Sequence, residues 1–290
     1  MKKHKQVLTK HRTVKDLFPS RYWHYRSLLE SKAAYEKIKK GLFFIGHPRS
    51  GHSILGALLD AHPDIALSHE LDALAFLNAK FSKRQLVQMI INRSKQFAKA
   101  GNQWMGYSYK VPGGYQGRIN QLKLVGDKRG GTTTKWFRQS PELFDKLKAM
   151  FPDTLFIYMY RNPFDSITTS FFRSQKRRGG NFDKADLFRK TDHFFDHAKL
   201  IHQFEEQALF DFRSIRAEFF LDNPEEVLKS LLNRFAVEAP EDYLKNCTSI
   251  LFQKPPKRRS ELGLWDSRTI DYVFQRMEET PYFWGYTFED

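Results

Sequence analysis

Apolar residues in this 290-residue chain fall into two recurring arrangements, short unbroken runs and helical stripes, and the two alternate. Leu42-Phe-Phe-Ile45 and Thr154-Leu-Phe-Ile-Tyr-Met-Tyr160 are unbroken runs, which predict strands buried on both faces. Ile54-Leu-Gly-Ala-Leu-Leu59 instead places its apolar positions on one face of a helix. The same spacing predicts helices over 22–40, 70–78, 83–99, 141–150, 185–210, 224–235 and 267–277. Asn162-Pro163 opens another: Asn caps, Pro suits the first helical position and Asp165 favours the dipole. Leu122-Lys-Leu-Val125 and part of 212–220 complete the strand candidates, while 104–120, rich in Gly and Tyr, reads as irregular. Alternation of this kind predicts a single α/β domain with a central parallel sheet flanked by helices. Residues 1–20 form a basic N-terminal arm and 21–290 the domain, with no repeat or linker dividing it.

Composition narrows the partners. Hydrophobic residues make up 41% of the chain, and 27 Phe supply bulk for a core, so bulk disorder is excluded. The formal charge of +15 favours anionic partners such as nucleotides, acidic glycans, nucleic acid or a membrane surface. A single cysteine, Cys247, excludes an intramolecular disulfide framework and fits a reducing compartment. No apolar run approaches the ~20 residues of a membrane span, and the basic start is not followed by a signal-type apolar core. The expectation is a soluble, cytoplasmic protein without a transmembrane segment.

Chemistry concentrates first at Gly46-His-Pro-Arg-Ser-Gly-His-Ser53, between a strand and a helix start. That context suits an anion: free N–H groups point at it and the helix dipole favours negative charge. The spacing follows the nucleotide-binding pattern G-x-x-x-x-G-K-[ST], with His52 where the lysine belongs. Three further segments carry ionisable groups: Ser68-His-Glu70, Val125-Gly-Asp-Lys128, and Arg161-Asn-Pro-Phe-Asp165 with Thr169 and Ser170. Ligands of parallel α/β sheets sit outside the carboxyl ends of the strands, so most of these segments should converge.

His47-Pro-Arg-Ser-Gly-His-Ser53, followed by Leu58-Leu-Asp-Ala-His-Pro63, resembles the 5′-phosphosulfate loop of the P-loop sulfotransferases that use 3′-phosphoadenosine 5′-phosphosulfate (PAPS). Tyr160-Arg-Asn-Pro-Phe-Asp165, with Thr169 eight residues after Arg161, resembles their 3′-phosphate motif. The placing of Glu70 after Leu-Asp-Ala-His-Pro is similar to the tyrosylprotein and other Golgi-type members rather than the cytosolic phenol and steroid enzymes. The resemblance runs from about 41 to 170 and implies a P-loop nucleotide-binding fold. It implies Glu70 as catalytic base, with Arg49 and Lys128 stabilising the transferring group. It further implies Arg49, Ser50, Gly51, His52, Ser53, Arg161 and Thr169 as nucleotide contacts, with Lys254 standing in for a missing C-terminal contact, no metal, and adenosine 3′,5′-bisphosphate as product.

The chain departs from that family at three points. His52 replaces a Thr or Ser, Thr169 replaces a Ser, and the cytosolic enzymes' R-K-G motif is missing, leaving Lys254 and Lys257-Arg-Arg259 as substitutes. Alternatives stand beside each residue. Glu70 could be a solvated first-turn residue with His69 the base, Lys128 a surface lysine, and Arg161 an ion-pair partner of Asp165. His193 and His197 lie one helical turn apart without a third ligand, so no zinc site is assigned. Ser174-Gln-Lys-Arg-Arg-Gly-Gly180 reads as a solvated loop. The expected partner is a hydroxyl-bearing acceptor, with the basic surplus favouring an acidic one; nucleic acid is not expected. The competing functions are a nucleotide kinase with a degenerate P-loop and a non-catalytic polyanion-binding module.

Overall fold

The run at 42–45 becomes the central strand β1 (Lys40–Ile45) of a five-stranded sheet in the computed structural model, which describes residues 32–180, 182–208, 210–251 and 257–289. The other members are β2 (Ile65–His69), β5 (Leu124–Lys128), β6 (Asp153–Tyr160) and β7 (Asp211–Arg216), in the order β2-β5-β1-β6-β7. Every neighbouring pair is parallel, so all the carboxyl ends emerge on one edge. β3 (Gln103–Trp104) and β4 (Tyr107–Ser108) form a separate antiparallel hairpin.

Period-two alternation sends the side chains of β1 to opposite faces. Phe43 and Ile45 join Phe156 and Tyr158 in one core. Leu42 and Phe44 join Leu155, Ile157 and Met159 in the other. Helices cover both. The first core packs under α2 (Ala73–Asn78), α3 (Lys83–Lys99), α4 (Gly130–Gln139) and α5 (Leu143–Met150), which contribute Phe76, Ile90, Phe137 and Leu147. On the other face lie α1 (His52–Asp60), α9 (Pro224–Arg234) and α10 (Tyr243–Thr248) with Leu58, Leu231 and Cys247. A third cluster joins α6 (Pro163–Arg178), α7 (Lys184–Glu206) and α11 (Ser267–Glu278) through Phe164, Phe195 and Val273.

Several boundaries differ from expectation. The strand expected at 122–125 is displaced to β5, which carries Asp127 and Lys128 inside the sheet. β2 had no clear signal, since Ser68 and His69 break its apolar run, yet all five of its residues are buried. The helix expected from 70 begins at Ala73 instead. The buried Asp127 carboxylate accepts the N–H groups of Leu71, Asp72 and Ala73, which satisfies the start of α2 from a neighbouring strand. The segment at 104–120 holds the hairpin, and 212–220 splits into β7 and the short α8 (Ala217–Asp222). Of the helix expected at 22–40, the described part is a 3₁₀ turn, Ala33–Lys37, before β1. The basic arm at 1–20 lies outside the described residues. No helix among the described residues is long and apolar enough to cross a membrane.

Candidate active site

The loop after β1 doubles back tightly before α1. Arg49 has φ +75 and Gly51 φ +98, and a Cβ on Gly51 would sit 3.0 Å from the Met159 methyl, so only glycine fits there without adjustment. Arg49 is not glycine and holds a left-handed conformation, which costs about 1–3 kcal/mol and persists only where the surroundings enforce it. Ser50 is enclosed; its hydroxyl donates to His47 O at 2.9 Å and meets His52 Nε2 at 3.1 Å. Ser53, in the first turn of α1, is half-buried and accepts a hydrogen bond from Lys128 Nζ at 3.0 Å.

His52, expected among the nucleotide contacts, packs beneath the loop. Its ring is buried, edge-on to Phe44, and lies against Gly130 at the start of α4, where an added Cβ would come within 2.6 Å of Cε1. Burial and the nearby Lys128 push its pKa down to about 3, against a partial counter-pull from Glu70, so the ring is neutral. It props the loop from beneath through Ser50.

Beside the loop, β2 and β5 place His69 opposite Lys128 in register. Glu70 N–H adds one more bond, to Lys128 O at 3.3 Å, and a left-handed turn at φ +59 then throws its carboxylate back over the strand ends. There Lys128 Nζ donates to Glu70 Oε1 at 2.8 Å and Arg129 Nη1 to Oε2 at 2.6 Å. Burial disfavours the charged carboxylate, but Lys128 and Arg129 outweigh it and hold the pKa at about 2. Burial also lowers the Lys128 ammonium, which Glu70 partly restores. Lys128 is only 3% exposed, which overturns its reading as a surface lysine. His69 is stacked on Phe97 at 4.1 Å, with Trp104 edge-on at 5.2 Å, and burial followed by Lys128 lowers its pKa to about 3.

The third element lies across β6. Arg161 caps the strand and is 8% exposed. Its guanidinium donates to Thr169 Oγ1 at 2.9 Å, Asp165 O at 3.2 Å and Ser166 Oγ at 3.3 Å, all neutral acceptors. Thr169, not Ser170, is therefore the hydroxyl that the motif spacing brings to Arg161. Among the described residues the alternative reading, an Arg161–Asp165 ion pair, does not form. The Asp165 carboxylate accepts Arg258 N–H at 2.7 Å and Arg259 N–H at 3.0 Å instead, and faces the buried Arg259 guanidinium at 3.7 Å. Burial lowers the Arg161 pKa, and Arg49 and Arg258 add to the shift while Asp165 and Glu218 oppose it. The hydrogen bonds of this buried guanidinium thus run to uncharged acceptors, while two carboxylates and two cations act on it from further away.

Glu70, Arg49, Lys128, Ser50, Gly51, Ser53, Arg161 and Thr169 thus gather along the carboxyl edge of β2, β5, β1 and β6. Lys254 lies outside the described residues, although Lys257-Arg-Arg259 is docked beside Arg161 through Asp165. Residues that the sequence did not signal are Arg129 on Glu70, and Tyr109, whose phenol interacts with Ser53 and Arg49 from the hairpin side. Arg129 follows Lys128 directly, so its basic pair with Lys128 was the available sign. Among the described residues no group of three or more His, Cys, Asp or Glu could hold a metal ion.

The carboxyl edge of the parallel sheet thus carries a glycine loop on one side of a carboxylate–lysine pair and a buried arginine on the other, an arrangement of the kind that suits group transfer. Residues 41–241 match the model of the sulfotransferase family, and the chain belongs to that family. It is a sulfotransferase. Among solved structures it is similar to sulfotransferase STF9 from Mycobacterium avium, with a TM-score of 0.51, 12% identity, and coverage of 89% of this chain and 81% of that one. Sulfotransferase STF1 from Mycobacterium tuberculosis H37Rv gives a TM-score of 0.50 and 14% identity, over 93% of this chain and 82% of that one. At these identities the likeness is one of fold. No curated protein matches the sequence.

Proposed function

We propose that this sulfotransferase takes its sulfuryl group from PAPS and delivers it to a hydroxyl, with Glu70 accepting the hydroxyl proton. Arg161 supports the reading most: it is buried, its hydrogen bonds among the described residues run to neutral acceptors, and it is set across the sheet edge from the glycine loop. Two separated anion sites suit a nucleotide phosphorylated at both its 5′ and 3′ positions. The loop N–H groups, Arg49 and Ser53 would hold the 5′ end, and Arg161 with Thr169 the 3′-phosphate. Bound there, PAPS supplies the activated sulfuryl group.

The chain's own part is acid–base and electrostatic. Glu70 is the more accessible base candidate, because its carboxylate is 27% exposed whereas His69 is 4% exposed and enclosed by Phe97 and Trp104. In the pair with Lys128 and Arg129, Glu70 is a weak base at about 2. Lys128 stands between Glu70 and Ser53, within hydrogen-bond reach of both. Movement of its ammonium off Glu70 raises the proton affinity of the carboxylate, and the same ammonium is then free to neutralise charge that develops in the transition state. Arg129 keeps Glu70 oriented meanwhile.

The test is turnover with labelled PAPS across a panel of hydroxyl acceptors. Wild type is expected to transfer label, and Glu70→Gln to lose it by roughly a hundredfold or more while still binding adenosine 3′,5′-bisphosphate. Undiminished transfer by Glu70→Gln would remove it as the base.

A further inference from the structure

We infer that the faces of α4, α6 and α7 beside the phosphate loop form an anion-binding track for an acidic glycan acceptor, an inference that rests on the sulfuryl-transfer reading above. The start of α4 abuts the loop. A Cβ on Gly131 would lie 3.5 Å from Pro48, and Gly130 packs on His52. The middle of α7 reaches the same loop from the other side, through His197 Nε2 to Gly46 O at 3.3 Å and through Phe194 stacked on His47 at 4.0 Å.

From those anchors the two helices carry basic side chains outward. Lys135 and Arg138 share one face of α4 at i and i+3, and Lys190, His193 and His197 share one face of α7 at i, i+3 and i+7. These faces meet: Lys135, Arg138 and Lys190 all act electrostatically on His193. Lys190 in turn feels Arg177 and Arg178, from the last turn of α6. Lys135, Arg138, Arg177 and Arg178 are exposed and Lys190 is half-buried, and no ion pair among the described residues involves any of the five.

The acids of α7 have partners of their own. Asp192 and Asp196 pair with Arg276 of α11, Asp186 with Arg189, Glu205 accepts from Tyr282 and Glu206 faces His202. Asp196 still acts on His193 and Asp186 on Lys190, each less than the cations around them. The loop-side surface is left cationic. Arg138 lies nine residues beyond Arg129, roughly 13 Å along the helix, so the track is longer than a single sugar.

The occupant follows from the chemistry at both ends. Transfer needs a hydroxyl near Glu70, and the track needs several anionic groups on the same molecule. An acidic glycan, with carboxylate or sulfate groups repeated along a polyhydroxyl chain, meets both needs. A single-stranded nucleic acid would look for aromatic rings to stack its bases. The large exposed apolar side chains among the described residues are Trp104, Met105, Tyr107, Tyr115, Phe219, Phe274 and Trp284, and none belongs to α4, α6 or α7.

The experiment titrates a labelled heparin oligosaccharide into wild type, Lys135→Glu/Lys190→Glu, and the equal-charge control Lys99→Glu/Lys245→Glu. Adenosine 3′,5′-bisphosphate is titrated into each in parallel. The track variant is expected to bind heparin about tenfold more weakly than the control, with a shallower salt dependence and unchanged nucleotide affinity. Equal heparin affinity in track variant and control would overturn the inference. Competition by poly-glutamate or a single-stranded oligonucleotide as effective, charge for charge, as the oligosaccharide would overturn the glycan assignment. If wild type fails to bind the bisphosphate, the sulfuryl-transfer reading falls, and the heparin comparison still decides whether the track exists.

Discussion

Lys128 donates to Glu70 at 2.8 Å across the ends of two hydrogen-bonded strands, although 58 residues separate them in sequence. Arg129 holds the second carboxylate oxygen, and the three side chains act as one unit. The folded-state pKa of Glu70, about 2, lies below its ordinary 4.5, so the pair stabilises the fold above pH 4.5 and that contribution is lost as pH falls toward 2. Glu70→Gln strands the buried Lys128 and should cost about 3 kcal/mol at neutral pH. Denaturant titrations at several pH values should show the gap between wild type and variant narrowing only below pH 4.5.

His52 and Gly130 form a packed pair beneath the loop, and they should behave as one in a double-mutant cycle. Gly130→Ala drives a methyl into the imidazole and should destabilise by about 1–3 kcal/mol. His52→Thr shortens the side chain and should relieve much of that clash in the double variant. Because the ring faces the core, His52→Thr alone should leave affinity for adenosine 3′,5′-bisphosphate within a few-fold of wild type, read by calorimetry.

Thr169 gives Arg161 one of its three acceptors. Thr169→Val keeps the shape and removes the hydroxyl, which should weaken binding of the bisphosphate by about tenfold, in line with a hydrogen bond to a charged group. Affinity for adenosine 5′-monophosphate should not change, because that ligand has no 3′-phosphate. Ser170→Ala should do nothing to either.

Asp165 ties the C-terminal basic segment to α6 through two backbone N–H groups and the Arg259 guanidinium. Asp165→Ala leaves those groups buried and unpaired and should destabilise by about 3 kcal/mol. Limited proteolysis should then cut near 257–261 faster than in wild type, and the bisphosphate should bind more weakly because the segment beside Arg161 is released.

Local signals carried much of the fold. The run at 42–45, the glycine loop and the helix after it needed only neighbouring residues, and so did the Asn162-Pro163 cap, whose side chain accepts Phe164 N–H as expected. The helix at 83–99 matches α3 to the residue, with a Ser82–Gln85 capping box at its start. Arg161 and Thr169 were legible together because eight residues of helix bring them to one face. Other features depend on distant partners. β2 hides because Ser68 and His69 look polar; Ser68 is paid for by Asp127, 59 residues on, and His69 by the ring of Phe97. The sequence left a surface reading of Lys128 open beside the catalytic one, because nothing near it in sequence predicts the burial that β5 imposes. His52 stood where the family places a hydroxyl, and only the packing of α4 against the loop shows that its ring turns inward.

Arg161 held for a 3′-phosphate should reveal itself in calorimetry with two nucleotides on two proteins. Wild type should prefer adenosine 3′,5′-bisphosphate over adenosine 5′-monophosphate by about tenfold to a hundredfold, and Arg161→Ala should erase that preference while still binding the monophosphate. A wild-type protein that does not distinguish the two nucleotides, or an Arg161→Ala variant that keeps the full preference, would contradict that role of Arg161.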